Sequence, residues 1–210
     1  MDNMTKYHWY DGIFYDKLIA PNQTKMFLQI KELIKPGLNV LDVGCGTGYL
    51  EFLLADKCKS IIGIDLSERN IERANKKLQN NPISNITFLH TNVEYLKNHI
   101  DIKFDYTILT YVIHEISEKE RFELLQNIRD ISENIIIGDY FVPQPMGFWK
   151  ILNEIVEFAA GKEHYRNFKS FLENGGIKPL AQKVGLQIIN EIRDEQFKNY
   201  IVVFKNRNKI

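Results

Sequence analysis

Three glycines at alternate positions near residue 46 could bring backbone N–H groups against a bound ligand. Gly44, Gly46 and Gly48 follow the apolar run Val40-Leu41-Asp42-Val43. A short continuous aliphatic run predicts a buried parallel strand, and a glycine turn after it lets the backbone approach a ligand at the strand's carboxyl end. The pattern indicates either a nucleotide site or a plain tight turn.

The spacing of these glycines separates two classes of cofactor. A dinucleotide fingerprint, G-x-G-x-x-G, would place its third glycine where this chain has Tyr49. No lysine followed by serine or threonine comes directly after Gly48, so the turn is not a phosphate-binding P-loop. The turn therefore favours a ligand that has no pyrophosphate group.

A carboxylate stands at the end of the next predicted strand, Ser60–Asp65. Ser67 can cap the helix that follows, and Glu68 lies in the positive first turn of that helix. At the carboxyl tip of a strand, Asp65 can accept hydrogen bonds from both hydroxyls of a ribose. The alternative is that Asp65 caps the helix or is solvated.

The segment Asp42-Val43-Gly44-Cys45-Gly46-Thr47-Gly48 resembles the first motif of the class I S-adenosylmethionine-dependent methyltransferases. The resemblance implies a Rossmann-like α/β sandwich of three layers, with S-adenosylmethionine as cofactor and S-adenosylhomocysteine as product. It implies that Asp65 holds the ribose of the cofactor. It also implies that Asn92 meets the adenine amino group and that the N–H of Val93 meets a ring nitrogen.

Asn92 departs from the Asp that related sequences often carry, but an amide keeps the carbonyl acceptor. An equally open alternative is that Asn92 is an ordinary helix cap. The cofactor-binding residues predicted in this way are Asp42, Gly44, Cys45, Gly46, Gly48, Asp65, Leu66, Asn92, Val93 and Thr110.

Strand and helix patterns alternate along the rest of the chain. The further strands predicted are Ile86–His90, Phe104–Thr110 and Asn134–Asp139, and Ser117 with Glu120 predicts a capping box. Such alternation indicates a parallel sheet with right-handed crossovers.

The last two predicted strands, Leu186 to Ile192 and Phe197 to Phe204, are joined by so few residues that they can only form an antiparallel hairpin. We therefore predict a single α/β domain over residues 1–210, with a mostly parallel seven-stranded sheet.

Composition limits the partners that we expect. The chain has 27 Lys and Arg and 27 Asp and Glu, so its formal net charge is zero, which argues against a nucleic-acid partner. Its two cysteines, Cys45 and Cys58, have no metal-binding spacing, and no signal core or membrane-length apolar run is present. We expect a cytoplasmic monomer or homodimer with no membrane partner and no metal.

His114 follows the fourth strand and has an ordinary pKa near neutrality, which makes it a candidate general base for an acceptor that must lose a proton. The alternatives are a hydrogen-bonded structural histidine and a reaction that depends on positioning alone.

Two segments are predicted to cover the ligand. Residues 1–35 form a helical cover with substrate contacts from Tyr10 and Tyr15, and residues 140–175 form a cap insertion with contacts from His164 and Tyr165. Aromatic rings there can exclude water and surround a sulfonium through cation–π contact. Alternatively, the aromatic residues pack a helix onto the sheet edge or form a dimer surface.

The acceptor is predicted to be a small molecule. The residues after strand four, Thr110-Tyr111-Val112-Ile113, lack the Asn or Asp-Pro-Pro-aromatic turn of nucleobase amino methyltransferases, and Thr110 interrupts the magnesium ligands of catechol-type enzymes. Ile137–Pro143 bears a loose likeness to methyltransferases of quinone biosynthesis. An RNA or protein methyltransferase, or a non-catalytic regulatory protein that binds S-adenosylmethionine, remains an alternative.

Overall fold

Seven strands form one sheet. They are β1 (Asn39–Val43), β2 (Ser60–Asp65), β3 (Ile86–His90), β4 (Phe104–Thr110), β5 (Ser132–Tyr140), β6 (Leu186–Asp194) and β7 (Asn199–Asn206). Their order is β3-β2-β1-β4-β5-β7-β6, with β1, β2 and β3 parallel and β7 antiparallel to both β5 and β6. The predicted sheet with its antiparallel carboxyl-terminal hairpin is confirmed.

The computed structural model describes residues 20–144, 146–147, 150, 154, 157–158, 161–194 and 199–206, with side chains from residue 23 onward. Tyr10 and Tyr15 lie outside the described residues, as does most of the predicted amino-terminal cover.

Seven helices occur in the described part of the chain. They are α1 (Ala20–Leu33), α2 (Tyr49–Leu54), α3 (Glu68–Asn80), α4 (Val93–His99), α5 (Glu118–Ile131), α6 (Lys162–Glu173) and α7 (Ile177–Lys183). Three of them begin at the predicted caps, because a side-chain oxygen accepts one of the N–H groups that the first turn leaves free. These caps are Ser67, Asn92 and Ser117, the last in a capping box with Glu120.

Strand β5 is longer than the predicted Asn134–Asp139. Its pairing with β7 continues as far as Tyr140 opposite Asn199, and the Asn206 amide donates to the Ser132 carbonyl at the other end. Strand β6 is extended for the same reason, since Asp194 also pairs with Asn199. An antiparallel neighbour supplies hydrogen-bond partners beyond the apolar run, which periodicity does not reveal.

The chain divides into two compact units, residues 1–108 and 109–210. The core of the amino-terminal unit includes Leu41 and Ile61, and that of the carboxyl-terminal unit includes Phe168, Phe171 and Phe204, all nearly without solvent exposure. No helix in the described residues is long and apolar enough to cross a bilayer.

Gly63, in the middle of β2, leaves room for side chains from three neighbouring elements. A Cβ at position 63 would overlap the carboxyl group of Glu51 and would lie 2.9 Å from the ring of Phe88 and 3.0 Å from the Cβ of Cys45. Packing, rather than backbone conformation, therefore requires glycine at this position.

We predict that Gly63→Ala lowers the free energy of unfolding by about 1–3 kcal/mol, the usual cost of overpacking a core. Urea denaturation measures the change. Thr87→Ala, an exposed position on the neighbouring strand, is the control and should stay within about 0.5 kcal/mol of the parent. Equal stability of the Gly63 variant would mean that Glu51 and Phe88 move aside without cost.

Candidate functional site

The glycine turn between β1 and α2 has a backbone that only glycine adopts easily. The φ angles of Gly44, Gly46 and Gly48 are 77°, 56° and 84°, all in the left-handed region. The turn is held to the end of β2, because the N–H groups of Gly44 and Cys45 donate to the Ile64 carbonyl at 2.8 and 3.1 Å. The turn therefore has one fixed shape at the carboxyl end of the strands.

Asp65 links the glycine turn to the start of α3. Its Oδ2 accepts the N–H of Gly46 at 2.9 Å, and its Oδ1 accepts the N–H of Ser67 at 2.7 Å. A carboxylate offers about four acceptor sites, so these two bonds alone do not exhaust the acceptor capacity of Asp65. The carboxylate is thus oriented before any ligand arrives.

Lys77 holds the turn from helix α3. Its Nζ donates to the carbonyl of Thr47 at 3.2 Å and to the hydroxyl of Thr47 at 2.9 Å. Sequence reasoning missed this contact, because a lysine in an amphipathic helix carries no signal for a partner thirty residues earlier.

A buried carboxyl pair, Asp42 and Glu51, lies at the glycine turn. Both residues are almost fully buried, and Oδ1 of Asp42 and both oxygens of Glu51 have no hydrogen-bond partner among the described residues. Burial raises the pKa of Asp42 to about 7, and the charge of Asp65 adds to the rise. Burial, reinforced by the charge of Asp42, raises the pKa of Glu51 well above its usual range. Sequence reasoning missed Glu51, although a lone glutamate in the apolar helix Tyr49–Leu54 was a usable signal.

The predicted adenine-side residues stand at the start of α4. Asn92 Oδ1 accepts the N–H of Tyr95 at 2.7 Å, so the capping role of Asn92 is confirmed. Val93, the next residue, is buried, and Leu66, directly after β2, is exposed. The contacts of these residues with adenine stay a prediction.

In the carboxyl-terminal unit, the chain turns sharply after Thr110. Tyr111 has a φ of 57°, which costs energy in a residue with a Cβ and is typical of functional sites. Its N–H donates to the Gly138 carbonyl at 2.8 Å, and its hydroxyl accepts the Asn199 amide at 2.6 Å. These contacts hold the strained residue in place.

His114 is buried and engaged at both ring nitrogens. Nδ1 lies 2.7 Å from Oδ1 of Asp139, and Nε2 lies 3.6 Å from Oε1 of Glu157. Burial lowers the pKa of His114, but the charges of Asp139 and Glu157 outweigh it and raise the pKa to about 9. The expected near-neutral pKa is therefore wrong, and the charged imidazolium is favoured in the absence of a ligand.

Glu157 joins His114 to His164, and we call His114, Asp139, Glu157 and His164 the histidine–carboxylate cluster. Glu157 Oε2 is hydrogen-bonded to Nε2 of His164, and Oε1 accepts the Tyr140 hydroxyl at 2.7 Å. Burial would raise the pKa of Glu157, but the charge of His114 and the bonds from its neighbours lower it.

Of the predicted substrate residues, the structure brings His164 to this cluster. The ring of Tyr165 instead packs against Phe158 and Phe168, with centroids 5.5 and 6.4 Å away. Sequence reasoning missed Asp139, Tyr140 and Glu157 as neighbours of His114, because these residues are distant from His114 in the chain and approach it only through tertiary packing.

Comparison with known proteins identifies the family to which the chain belongs. Residues 34–199 match the family described as "Methyltransferase domain", and the chain belongs to this family. The ubiquinone biosynthesis O-methyltransferase of Rickettsia canadensis is 26% identical over 153 residues, which are 72% of this chain and 63% of that protein. An uncharacterised RNA methyltransferase of Mycoplasma mobile is 40% identical over 73 residues, 34% of this chain and 20% of that protein. The chain spans less than two thirds of either relative.

Solved structures show the same fold. The magnesium protoporphyrin IX methyltransferase of Synechocystis, with bound S-adenosylhomocysteine, has a TM-score of 0.67 at 20% identity, covering 93% of this chain and 89% of that one. The mitomycin 7-O-methyltransferase has a TM-score of 0.69 at 12% identity, covering 92% and 56%. These similarities confirm the predicted Rossmann-like architecture.

We predict that the buried carboxyl pair makes stability depend on pH. The unfolded chain loses the Glu51 proton near its ordinary pKa of about 4.3, whereas the folded chain keeps it to a higher pH. The stabilisation is therefore complete below that value and is lost as the pH rises through the folded pKa. Between about pH 5 and pH 8, the free energy of unfolding of Glu51→Gln should therefore fall less steeply with pH than that of the parent.

Urea denaturation at the two pH values tests this. Glu72→Gln, an exposed position on α3, is the control and should follow the parent curve. A Glu51 variant with the same pH dependence as the parent would show that Glu51 is ionised in the folded protein.

Proposed function

We propose that this protein is an S-adenosylmethionine-dependent methyltransferase that acts on a small-molecule acceptor. The observation that carries the proposal is the glycine turn whose Gly46 N–H is fixed by Asp65, in a chain of the methyltransferase domain family. Asp65 would bind the ribose hydroxyls, and the glycine backbone would lie against the amino-acid part of the cofactor. The neighbour that was crystallised with S-adenosylhomocysteine supports this choice of ligand.

The electrostatics of the amino-terminal unit suit a cationic ligand. S-adenosylmethionine carries a sulfonium and an ammonium group, and three carboxyl groups, those of Asp42, Glu51 and Asp65, lie close enough to influence one another's pKa. Opposite charge favours ionised carboxylates. The oxygens of Asp42 and Glu51 that have no hydrogen-bond partner among the described residues are therefore suited to gain one when the cofactor binds.

Three observations support a small acceptor. The neighbours of similar fold act on magnesium protoporphyrin IX and on mitomycin, and a relative matching most of this chain acts in ubiquinone biosynthesis. The formal net charge of zero does not favour a nucleic acid. The RNA methyltransferase of Mycoplasma mobile matches only 34% of the chain, so we rank an RNA acceptor second.

For the chemistry, the acceptor nucleophile must lie in line behind the methyl carbon of the sulfonium. Holding the two reactants in that geometry supplies several kcal/mol of the barrier. An acceptor hydroxyl or acidic carbon must also lose a proton, and we assign His114 to this acceptor side of the reaction. Nδ1 of His114 is bonded to Asp139, so Nε2 is the nitrogen that would face a substrate, and the substrate would have to displace Oε1 of Glu157, which lies 3.6 Å from Nε2.

The direct test is transfer of a labelled methyl group to a panel of metabolites, with transfer RNA and ribosomal RNA as separate arms. We expect label on small molecules such as phenols or quinol precursors. Label on RNA alone would establish the second-ranked acceptor. Tight S-adenosylmethionine binding without transfer to any arm would reject the enzyme in favour of a regulatory protein.

We predict that Asp65→Ala weakens S-adenosylmethionine binding by about 1.5–3 kcal/mol, roughly tenfold to hundredfold, because hydrogen bonds to a charged group are lost. Calorimetry with S-adenosylmethionine, S-adenosylhomocysteine and NAD measures it, and the parent should bind NAD much more weakly than the other two. Asp56→Ala removes a surface carboxylate paired with Lys31 and serves as the matched control. An unchanged dissociation constant in a folded Asp65 variant would contradict the ribose assignment.

We predict that His114→Ala lowers turnover by about a hundredfold or more, the range of general acid–base contributions, while cofactor affinity stays nearly constant. His114 would act as a base once a substrate displaces Glu157 and the imidazolium loses its proton. Steady-state kinetics with the identified acceptor provide the measurement. His99→Ala removes an exposed imidazole on α4 and should leave turnover unchanged. Near-normal turnover of the His114 variant would show that positioning alone carries the reaction.

A further inference from the structure

We propose that the carboxyl-terminal unit binds a divalent transition-metal ion through His114, Glu115, Glu157 and His164. The proposal goes beyond the proposed function and does not depend on it, but an ion would occupy Nε2 of His114, the nitrogen otherwise assigned to the acceptor side of methyl transfer. It revises the sequence-based expectation that the protein has no metal site.

Two imidazoles and the Glu115 carboxylate converge at this place, and Glu157 lies against both imidazoles. One ligand atom each from His114, Glu115 and His164 lies within 4.8 Å of the other two. Glu157 contacts both imidazoles, with Oε1 3.6 Å from His114 Nε2 and Oε2 bonded to His164 Nε2. Ligand atoms around a tetrahedral zinc ion with bonds of about 2.1 Å are about 3.4 Å apart. Binding would therefore replace the hydrogen bond between Glu157 and His164 with bonds to the ion and would draw the other ligand atoms closer together.

The burial of the ligands suits a bound ion. His114, Glu157 and His164 are exposed by only 2%, 4% and 8%, so water competes little for an ion held by them. Glu115 is half-buried and is the most accessible of the proposed ligands. The two carboxylates would balance the two charges of the ion.

A second set of contacts orients the ligands. His114 Nδ1 is bonded to Asp139, which directs Nε2 toward the other ligand atoms, and the Tyr140 hydroxyl donates to Glu157. Histidines that bind metals commonly donate their other ring N–H to a carboxylate, which fixes the tautomer and the ring orientation.

Hydrogen bonds fix the loop after β4, which carries His114 and Glu115, to helix α6, which carries His164. Arg121 donates from Nε to the Ile113 carbonyl at 2.8 Å and from Nη2 to the Asn167 carbonyl at 2.5 Å. Asn167 in turn donates its amide to the Glu115 carbonyl at 2.8 Å. The backbone on either side of the ligands is therefore preorganised.

The ligand types select the ion. Imidazole suits zinc, iron, cobalt and nickel, whereas magnesium prefers oxygen ligands and retains water. An ion here would join the loop that carries His114 to α6 and would raise stability, because it binds the folded chain and not the unfolded one.

The test uses tag-free, full-length protein freed of metal by a chelator. Titration with Zn²⁺ against a chromophoric chelator, and with Co²⁺ followed by its visible absorption, should give one ion per chain with a dissociation constant below about 1 µM. Zn²⁺ should also raise the midpoint of thermal unfolding. Mg²⁺ at about 1 mM should not compete.

Variants then assign the ligands. His164→Ala and Glu115→Gln should each weaken Zn²⁺ binding by about tenfold or more. His99→Ala is the control and should bind like the parent. Glu115→Gln preserves the side-chain shape and sits at a half-buried position, so it keeps the test decisive if His164→Ala fails to fold.

Absence of stoichiometric binding to the parent would overturn the inference, as would equal affinity in the parent and both ligand variants. The histidine–carboxylate cluster would then be a hydrogen-bonded network without an ion. Because binding is read without methyl transfer, the two proposals fail separately. A protein that binds Zn²⁺ but transfers no methyl group would keep the metal site and lose the proposed function.

Discussion

One carboxylate, that of Asp65, sets the shape of the candidate cofactor site. It accepts the N–H of Gly46 in the turn after β1 and the N–H of Ser67 at the start of α3. One residue at the end of β2 therefore fixes both the loop that follows β1 and the loop that follows β2. Glycine lowers the cost of a left-handed turn but does not select one conformation, because it has the greatest freedom in the unfolded chain. The selection comes from Asp65 on one side and from Lys77 on the other. The residue expected to bind ribose is thus also the residue that builds the surface on which the ligand would rest.

The buried acids of the two units are compensated in different ways. In the amino-terminal unit, Asp42 and Glu51 have oxygens without hydrogen-bond partners among the described residues, and their raised pKa values mean that protons neutralise them. In the carboxyl-terminal unit, Asp139 and Glu157 lie against imidazoles, and the pKa of Glu157 is lowered instead. A buried carboxyl group that is neutralised by a proton, and not by a bonded partner, lowers the free energy of unfolding as the pH rises. Such a loss of stability is typical of residues that serve a binding site.

Much of the fold can be predicted from local sequence patterns, but less of the candidate site can. Strands β2, β3 and β4 have the predicted bounds because each is an apolar run ended by a polar tip, and Ser67 and Ser117 mark helix starts because capping is a local interaction. Asp65 was predictable because its role depends on its place at a strand end. Lys77 and Glu157 were not, since Thr47 and His114, their respective partners, are distant from them in the chain and come close only through packing.

The difference between local and long-range interactions also explains why the pKa of His114 was predicted wrongly from the sequence. The position of His114 after β4 could be predicted from the sequence. Its pKa could not, because it depends on Asp139, twenty-five residues away, and on Glu157, which lies in the cap segment. An imidazole with an ordinary pKa accepts a proton near neutrality, whereas one placed between two buried carboxylates holds a cation there, either a proton or a metal ion. What occupies Nε2 therefore decides the chemistry of the acceptor side. A proton makes His114 an acid until a substrate displaces Glu157, while an ion makes it a ligand, and the number of ions bound per chain separates the two.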